Sequence, residues 1–171
     1  MVRVHVYTGE GEGKTLAALG LAMRAIGHEQ RVVMVQFMKG RKEIGEYKIK
    51  DKLCPKFEVY QFGRKGFVDT KKPTEADKKK AIEGLKFIRK MLKENVDMLI
   101  LDEINLAASI GLVKSNDVIE IIKTAPKKML IVLTGRKAPK IFKDIADLVT
   151  VMKEVKHPYN KGIKAKKGIE Y

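Results

Sequence analysis

The stretch VHVYTGEGEGKTLAAL, residues 4–19, runs from an apolar segment through a glycine-rich turn to Gly-Lys-Thr at the start of a helical pattern. A strand, a glycine-rich loop and a helix in this order are the context of a phosphate-binding P-loop. Glycines at alternate positions, Gly9, Gly11 and Gly13, let the backbone curl so that successive amides face an anion. The helix that follows adds its positive dipole end. The stretch therefore predicts a P-loop.

Individual residues of this loop have predicted roles. Lys14 would reach terminal phosphates as a point charge, and the Thr15 hydroxyl would hold a magnesium ion. The position five residues before Gly13, usually a glycine in P-loops, is Thr8 in this chain. The nucleotide-binding residues expected here are Thr8, Gly9, Glu10, Gly11, Glu12, Gly13, Lys14 and Thr15.

Length and composition favour one domain spanning residues 1–171, with enough chain to bury a core. Apolar runs are only a few residues long, too short to cross a membrane. Because the first strand pattern begins at Val2, we expect no targeting peptide. A single cysteine, Cys54, excludes an internal disulfide and fits a reducing compartment. These features together predict a cytoplasmic protein.

The formal net charge is +15. It has two readings: an anionic partner such as nucleic acid, a polyphosphate or an acidic protein, or a solvated, lysine-rich surface. Aromatic signatures of RNA binding are missing from the sequence. We therefore expect a solvated surface to account for most of the charge.

Six short apolar segments alternate for the most part with helical patterns. This order predicts an α/β fold with three layers, in which helices cover both faces of a mainly parallel sheet. Several segments are continuous apolar runs, typical of strands buried on both faces. The predicted strands are residues 2–7, 32–37, 57–61, 98–101, 129–133 and 148–152, and the first helix is expected over 15–26.

The segment MLILDE, residues 98–103, resembles a Walker B strand that ends in two carboxylates. In this position Asp102 or Glu103 would hold magnesium beside the P-loop. In an ATPase the second carboxylate would activate water, so the role of Glu103 stays open on the pattern alone. Arg136 follows the fifth predicted strand and is a candidate anion ligand, with an ordinary surface arginine as the alternative.

Residues 61–73 have no clear period, which is typical of a lid or binding loop. Thr74 with Asp77 three residues later resembles a helix start. The helix beyond it has an apolar stripe, which predicts core packing; its members are Ile82, Leu85, Ile88 and Leu92.

These landmarks together resemble the corrinoid adenosyltransferases of the CobA/CobO/BtuR type, nearly end to end. The most particular motifs are TGEGEGKT at 8–15, LTGR at 133–136, and KHP at 156–158 together with GIEY at 168–171. QFMKG at 36–40, LDEI at 101–104 and ADLVT at 146–150 also match. The unusual Thr8 is part of this family's form of the loop.

The resemblance implies a RecA-like P-loop fold and transfer of the 5′-deoxyadenosyl group of ATP to cobalt(I) of a reduced corrinoid, with triphosphate released. Magnesium, or manganese, would be the metal, held by Thr15, Asp102 and Glu103. Lys14, the amides of Gly11 and Gly13, and the metal would neutralise the leaving group. The catalytic residues expected are Lys14, Thr15 and Glu103. No water is activated in this reaction, so the resemblance favours metal or nucleotide binding for Glu103.

The family places aromatic side chains of the loop after the third strand beneath the corrin. Gly66 and Phe67 match that position, and Phe62 is a further candidate for corrinoid binding. A tryptophan of well-known members is replaced by Asp69, and the chain contains no tryptophan. Simple packing of Phe67 in the loop is the alternative.

Partners implied by the resemblance are ATP and the corrinoid, and the positive surface would suit an acidic flavoprotein reductant; formation of a homodimer stays open because an N-terminal extension of some members is missing. Two other functions remain to be distinguished. One is a nucleic-acid-binding P-loop ATPase, suggested by the net charge of +15. The other is a corrinoid carrier without catalysis.

Overall fold

The computed structural model describes residues 2–66 and 68–169. Their strands form one six-stranded sheet in the order β3-β2-β4-β5-β1-β6, and every pair of neighbours is parallel. The strands are β1 Arg3–Thr8, β2 Val32–Phe37, β3 Phe57–Phe62, β4 Met98–Asp102, β5 Leu130–Thr134 and β6 Leu148–Val151. The prediction of six strands in a mainly parallel sheet is confirmed.

Helices connect the strands. They are α1 Lys14–Gly27, α2 Gly45–Leu53, α3 Glu75–Met91, α4 Ile104–Ser109, α5 Ser115–Thr124 and α6 Lys140–Asp144, followed by a short 3-10 helix over Pro158–Lys161. The sequence pattern did not predict α2, a short helix in which no residue is fully buried. Its apolar side chains, among them Tyr47 and Leu53, contact the core only in part, so they give a weaker signal than a fully buried stripe. No helix among residues 2–66 and 68–169 has the length and apolar character needed to span a bilayer.

The strand order brings the candidate site together. β5 lies between the P-loop strand β1 and the Walker B strand β4, which is the RecA-like arrangement. The register of the strands places polar residues of the candidate site side by side: Tyr7 is paired with Thr134, and Gln36 with Asp102. Because all strands are parallel, the loops at their carboxyl ends meet along one edge of the sheet, where open α/β sheets bind ligands.

The core lies on both faces of the sheet, as the three-layer prediction required. On one face, side chains such as Val35, Leu101 and Leu133 pack against α3, α4 and α5. On the other, Met34 and Ile100 contact a row of alanines on α1. β2 and β4 are buried along their whole length, which explains their continuous apolar sequences.

α3 begins as predicted and packs on most of the predicted stripe, since Leu85 and Ile88 are buried and Leu92 contacts the core. Thr74 and Asp77 form a reciprocal capping box. Ile82, predicted to be in the core, is 48% exposed, and this part of the prediction is wrong. Gly84 faces the sheet instead, where a Cβ atom would lie 2.9 Å from a ring carbon of Phe37. Gly84 therefore lets α3 approach Phe37 closely, while Ile82 faces solvent.

Candidate functional site

A cleft of about 380 Å³ opens at the carboxyl edge of the sheet. It brings together the helix start of the P-loop, the end of β4, the loop after β2 and the chain's last described residues. The lining residues are Glu12, Gly13, Lys14, Thr15, Leu16, Leu19, Lys39, Gly45, Glu46, Glu103, Arg136, Gly168 and Ile169. Cationic and anionic groups alternate around this wall, so the cleft can hold an anion together with a cation.

Lys14 is the buried cation of the P-loop. α1 starts at this residue because Gly13 adopts a left-handed conformation with φ 101°, which glycine reaches without strain. The side chain is 7% exposed, and its ammonium donates to the carbonyl of Gly11. Burial lowers the pKa of Lys14, and the Glu103 carboxylate acts in the opposite direction. The Lys14 ammonium is thus held at the cleft by the carbonyl of Gly11, a residue of the same loop.

The first half of the P-loop is packed against the segment after β6. A Cβ on Gly9 would lie 2.3 Å from the Met152 carbonyl oxygen, and one on Gly11 would lie 2.8 Å from the carbonyl carbon of Lys153. The Gly11 amide donates to the Met152 carbonyl at 2.9 Å. These glycines therefore allow a close backbone contact. In this conformation the Gly11 amide is hydrogen-bonded to Met152, and phosphate binding by that amide remains a prediction.

Thr8 has a structural contact of its own. Its hydroxyl accepts a hydrogen bond from the Ala138 amide at 3.1 Å, which joins the P-loop strand to the loop after β5. A glycine could not make this bond. Within the described part of the chain, the cleft wall includes Glu12, Gly13, Lys14 and Thr15 but not Thr8, Gly9, Glu10 or Gly11. Binding of nucleotide by those four remains a prediction.

Asp102 is the centre of a buried network of five residues, which we call the Asp102 network. Its Oδ1 accepts from the hydroxyls of Thr15 at 2.8 Å and Thr134 at 2.7 Å. Its Oδ2 accepts from the Gln36 amide at 3.1 Å and the Lys39 ammonium at 2.7 Å. The Asp102 side chain has no exposed surface. The network joins α1, β2, β4 and β5 at one carboxylate.

Charge and hydrogen bonds set the protonation of this network. Burial alone would raise the pKa of Asp102, but the Lys39 ammonium and the hydroxyl donors outweigh it and hold the pKa below its ordinary value. Burial likewise opposes the charge of Lys39, yet the Asp102 carboxylate raises the pKa of that ammonium. The pair is therefore an ion pair, carboxylate with ammonium.

Glu103 differs from its neighbour. It has φ 61°, an uncommon conformation for a residue other than glycine, and its amide donates to the Thr134 hydroxyl at 3.1 Å. Burial and, secondarily, the charge of Asp102 raise its pKa. A Cβ on Gly135 would lie 3.1 Å from a carboxylate oxygen of Glu103, so this glycine leaves room for the side chain.

Arg136 lies in the cleft wall. Its guanidinium is 3.5 Å from the carboxylate of Glu10, and both side chains are exposed. Exposed pairs of this kind are weak, so an incoming anion could draw Arg136 away from Glu10 at little cost. The position fits the predicted role in nucleotide binding, which stays a prediction.

The segment after β6 reaches the same cleft. His157 accepts a hydrogen bond from the Tyr159 amide on Nδ1, and its Nε2 is 3.0 Å from a carboxylate oxygen of Glu12. Gly168 and Ile169 line the cleft. A single histidine, or a glycine followed by isoleucine, does not by itself predict a place at a binding cleft. Only the family motif in the tail could have indicated that these residues reach the cleft.

The whole chain has the pattern of one protein family. The family model described as ATP:corrinoid adenosyltransferase BtuR/CobO/CobP matches residues 2–171. The chain belongs to this family. It is 33% identical to the corrinoid adenosyltransferase of Escherichia coli K12 and 34% identical to corrinoid adenosyltransferase CobA of Salmonella typhimurium; each alignment covers 97% of this chain and 84% of the relative. The enzyme of Pseudomonas aeruginosa is 35% identical, with 97% and 82% covered.

The three residues predicted to bind corrinoid in this adenosyltransferase differ in burial and in what they contact. Phe62 is half-buried, and its ring centroid lies 5.4 Å from that of Phe87 on α3. This packing accounts for Phe62 without a ligand. Gly66 is exposed, and Phe67 lies outside the described residues. Corrinoid binding by these three remains a prediction.

The metal that the adenosyltransferase reaction implies fits the oxygen donors at this site. Thr15, Asp102 and Glu103 offer a hydroxyl and two carboxylates, the ligands that Mg²⁺ prefers. A cation, the Lys39 ammonium, already lies against Asp102. In the part of the chain that the structure describes, no group of three or more His, Cys, Asp or Glu side chains is arranged to hold a metal. Substrate phosphates would complete the coordination, as is usual for Mg²⁺.

Proposed function

We propose that this chain transfers the 5′-deoxyadenosyl group of ATP to cobalt(I) of a reduced corrinoid. Lys14 and Thr15 of the cleft, with the buried Asp102 behind Thr15, would hold the triphosphate and its metal. One observation carries the proposal. In a chain of the adenosyltransferase family, the Thr15 hydroxyl at the start of α1 donates directly to the buried Asp102 carboxylate, and the preceding residue, Lys14, lines the same cleft.

The reaction forms a cobalt–carbon bond and breaks the bond between the ribose 5′ carbon and its oxygen. Cobalt(I) supplies the electron pair and becomes cobalt(III), and the pair of the broken bond leaves with triphosphate. The protein therefore has to orient two substrates and stabilise the developing negative charge. Lys14, Lys39 and Arg136 are cations that line this cleft. A bound divalent cation would supply further charge neutralisation at Thr15 and Asp102.

Glu103 has no water to activate in this reaction. We propose that it faces the metal or the nucleotide from the end of β4, as its contact with Gly135 and its place in the cleft wall support. Its raised pKa comes from burial and from Asp102. A cation arriving between the two carboxylates would relieve their repulsion, which supports the role of a metal-facing group.

The corrinoid side of the site is proposed to be the loop after β3. Gly66 and Phe67 are the candidates beneath the corrin, with Phe62 as a second aromatic group. Support comes from the exposure of residues 64–66 and from the contact of this loop with the loop after β2, which carries the cleft residue Lys39.

Two partners and a location are proposed with less direct support. The edge strand β6 exposes apolar side chains, among them Val151 at 65%, which favours pairing of two copies into a homodimer. The net charge of +15 favours an acidic flavoprotein as reductant. The free, exposed thiol of Cys54 favours the cytoplasm, where thiols stay reduced.

The deciding experiment mixes the protein with ATP, Mg²⁺ and chemically reduced corrinoid and follows the loss of cobalt(I) absorbance together with the phosphate product. We expect triphosphate in equal amount to the adenosylated corrinoid. Release of inorganic phosphate stimulated by DNA or RNA would favour the nucleic-acid ATPase instead. Corrinoid binding without turnover would favour a carrier.

A further inference from the structure

Asp102 has its hydrogen-bonding capacity filled by protein groups. A carboxylate has about four lone-pair sites, and Asp102 accepts from four donors: Thr15, Thr134, Gln36 and Lys39. A metal ion, or a water bound to it, therefore cannot reach this carboxylate until a donor leaves. Metal binding at Asp102 therefore requires that one of these four donors is displaced.

Three of the four donors are fixed. Gln36 and Thr134 are completely buried at the ends of β2 and β5. Thr15 keeps its oxygen lone pairs when it donates to Asp102, so it can hold a metal without leaving. Lys39 differs because it is a long side chain whose surface is 29% exposed to the cleft. Lys39 is the donor that can move.

The backbone of Lys39 is fixed although its side chain is not. A Cβ on Gly63 would lie 2.3 Å from the carbonyl carbon of Met38, and one on Gly40 would lie 2.7 Å from the carbonyl carbon of Arg64. The loops after β2 and β3 are therefore in direct backbone contact on both sides of Lys39. Only its side-chain torsions can carry the ammonium away from Asp102.

A second acceptor for the ammonium lies nearby. The Glu46 carboxylate is 3.9 Å from Lys39 Nζ, and both residues line the cleft. Glu46 is held by α2 and by a hydrogen bond of 3.0 Å from the amide of Gln36. A released Lys39 would therefore remain in the cleft, between Glu46 and the bound substrate.

We propose that Lys39 is a resident counter-cation of Asp102, which a divalent metal ion displaces when it enters the site. This inference rests on the proposed metal site of the adenosyltransferase reaction. Before the metal arrives, Lys39 neutralises a buried carboxylate that would otherwise be unpaired, an arrangement that is strongly destabilising. After it arrives, the ammonium turns toward Glu46 and adds a positive charge to the part of the cleft that faces the triphosphate. Lys39 is thus a positioning residue for the metal.

The experiment measures Mn²⁺ binding by electron paramagnetic resonance, without nucleotide or corrinoid. Lys39→Gln keeps a donor for Asp102 but removes the competing charge, so we expect Mn²⁺ to bind about tenfold more tightly, as follows if the ion pair blocks about nine-tenths of the wild-type population. Lys39→Arg keeps the charge and should bind Mn²⁺ as the wild type does. Lys123→Gln, at an exposed lysine of α5, controls for the loss of one positive charge.

The gain must depend on Asp102. In Lys39→Gln combined with Asp102→Asn, the tightening should disappear. Equal Mn²⁺ affinity in the wild type and Lys39→Gln, or tightening that survives Asp102→Asn, would overturn the proposal. Should Lys39→Gln fail to fold in metal-free buffer, thermal denaturation in millimolar Mn²⁺ replaces the titration: recovery of a cooperative transition supports displacement, and continued failure overturns it. Triphosphate release by the wild type tests the proposed function separately.

Discussion

The Asp102 network and the loop after β3, residues 63–73, are proposed to serve different substrates of one reaction, the triphosphate and the corrinoid. The two regions are built differently. In the network, three of the four donors to Asp102 come from β2, β5 and α1, the fourth is Lys39 in the loop after β2, and the carboxylate is wholly buried. Residues 63–66 and 68–73, the described part of this loop, are mostly exposed. Its anchor is Arg64, whose guanidinium makes two hydrogen bonds to Asp77, at 2.7 and 3.0 Å.

The difference follows from what each side has to do. Stabilising a leaving triphosphate requires charges that are held in place before the reaction, because reorganising them during it would raise the barrier. Admitting a large, planar corrinoid requires a segment that can adapt, and segments with few buried contacts are the ones that adapt. The backbone contacts of Gly40 and Gly63 join the two regions beside Lys39.

The comparison predicts the largest loss of activity at the fixed side. Lys14→Ala should reduce adenosyl transfer from chemically prepared cobalt(I) about 100-fold or more, by analogy with the loss of one charge-stabilising donor. The assay is loss of cobalt(I) absorbance at saturating ATP. Lys140→Ala removes an exposed lysine paired with Asp144 and should leave the rate unchanged. A Lys14→Ala rate near normal would contradict the assignment of the fixed side to the leaving group.

The P-loop itself offers a matched pair for stability. Gly9 and Gly13 have nearly the same φ, +103° and +101°, but a Cβ would strike Met152 at Gly9 and would meet nothing within 4 Å at Gly13. We expect Gly13→Ala to lower the free energy of unfolding by about 1 kcal/mol, the cost of the left-handed conformation. Gly9→Ala should cost about 2 kcal/mol more, as overpacking does.

Denaturant unfolding of the two glycine variants measures this difference directly. Since their backbone strain is similar, the difference isolates the contact between the P-loop and the segment after β6. Equal destabilisation would show that this segment moves away easily, and the P-loop would then belong with the adaptable side of the molecule.

On the adaptable side we predict a smaller, selective effect. Phe67→Ala should slow the reaction that starts from cobalt(II) by roughly tenfold relative to the one that starts from cobalt(I), the scale of one lost aromatic contact. Phe142→Ala serves as the control, because its ring is fully buried on α6 and is not part of the proposed corrinoid site; we expect it to reduce stability without changing this ratio. Equal losses from both cobalt states would remove Phe67 from ligand displacement.

The sequence was sufficient for the sheet and for the residues that carry its chemistry at strand ends. Parallel strands buried on both faces are apolar throughout, so residues 32–37 were predicted with the observed bounds. α2 was not, because it is amphipathic without burying any residue. Local pattern also cannot report that Ile82 turns to solvent, since that depends on Gly84 meeting Phe37 across the interface.

Site residues could be predicted from the sequence where a known motif lies at the end of a strand. They could not be predicted where the contact depends on how two loops pack together. Thr15 and Asp102 follow from their motifs, and their hydrogen bond fits them. Lys39 lies beyond β2, and its contact with Asp102 depends on how the loops after β2 and β3 pack. The Gly11 amide was assigned to phosphate because glycine-rich loops commonly bind anions; its contact with Met152 comes from a segment about 140 residues later in the chain.

The smallest expected effect concerns Glu103 and distinguishes it from Asp102 within the fixed side. The folded-state pKa of Glu103 lies above its ordinary value of 4.5, so the folded protein binds more protons than the unfolded chain in the window that begins there. Stability contributed by the protonated form is therefore lost as pH rises through the folded-state pKa. Asp102, with a lowered pKa, contributes stability that is lost as pH falls.

Glu103→Gln removes the pH dependence of stability that comes from Glu103. Relative to the wild type, we expect its free energy of unfolding to be unchanged in acid and higher above the window, because glutamine does not acquire the buried charge. Urea unfolding from acid to neutral pH measures the difference, with Glu120→Gln on the exposed side of α5 as the control. A difference that grows toward acid would mean that Glu103, like Asp102, is stabilised as the carboxylate by Lys39 and Lys14, and the two carboxylates would then have the same role.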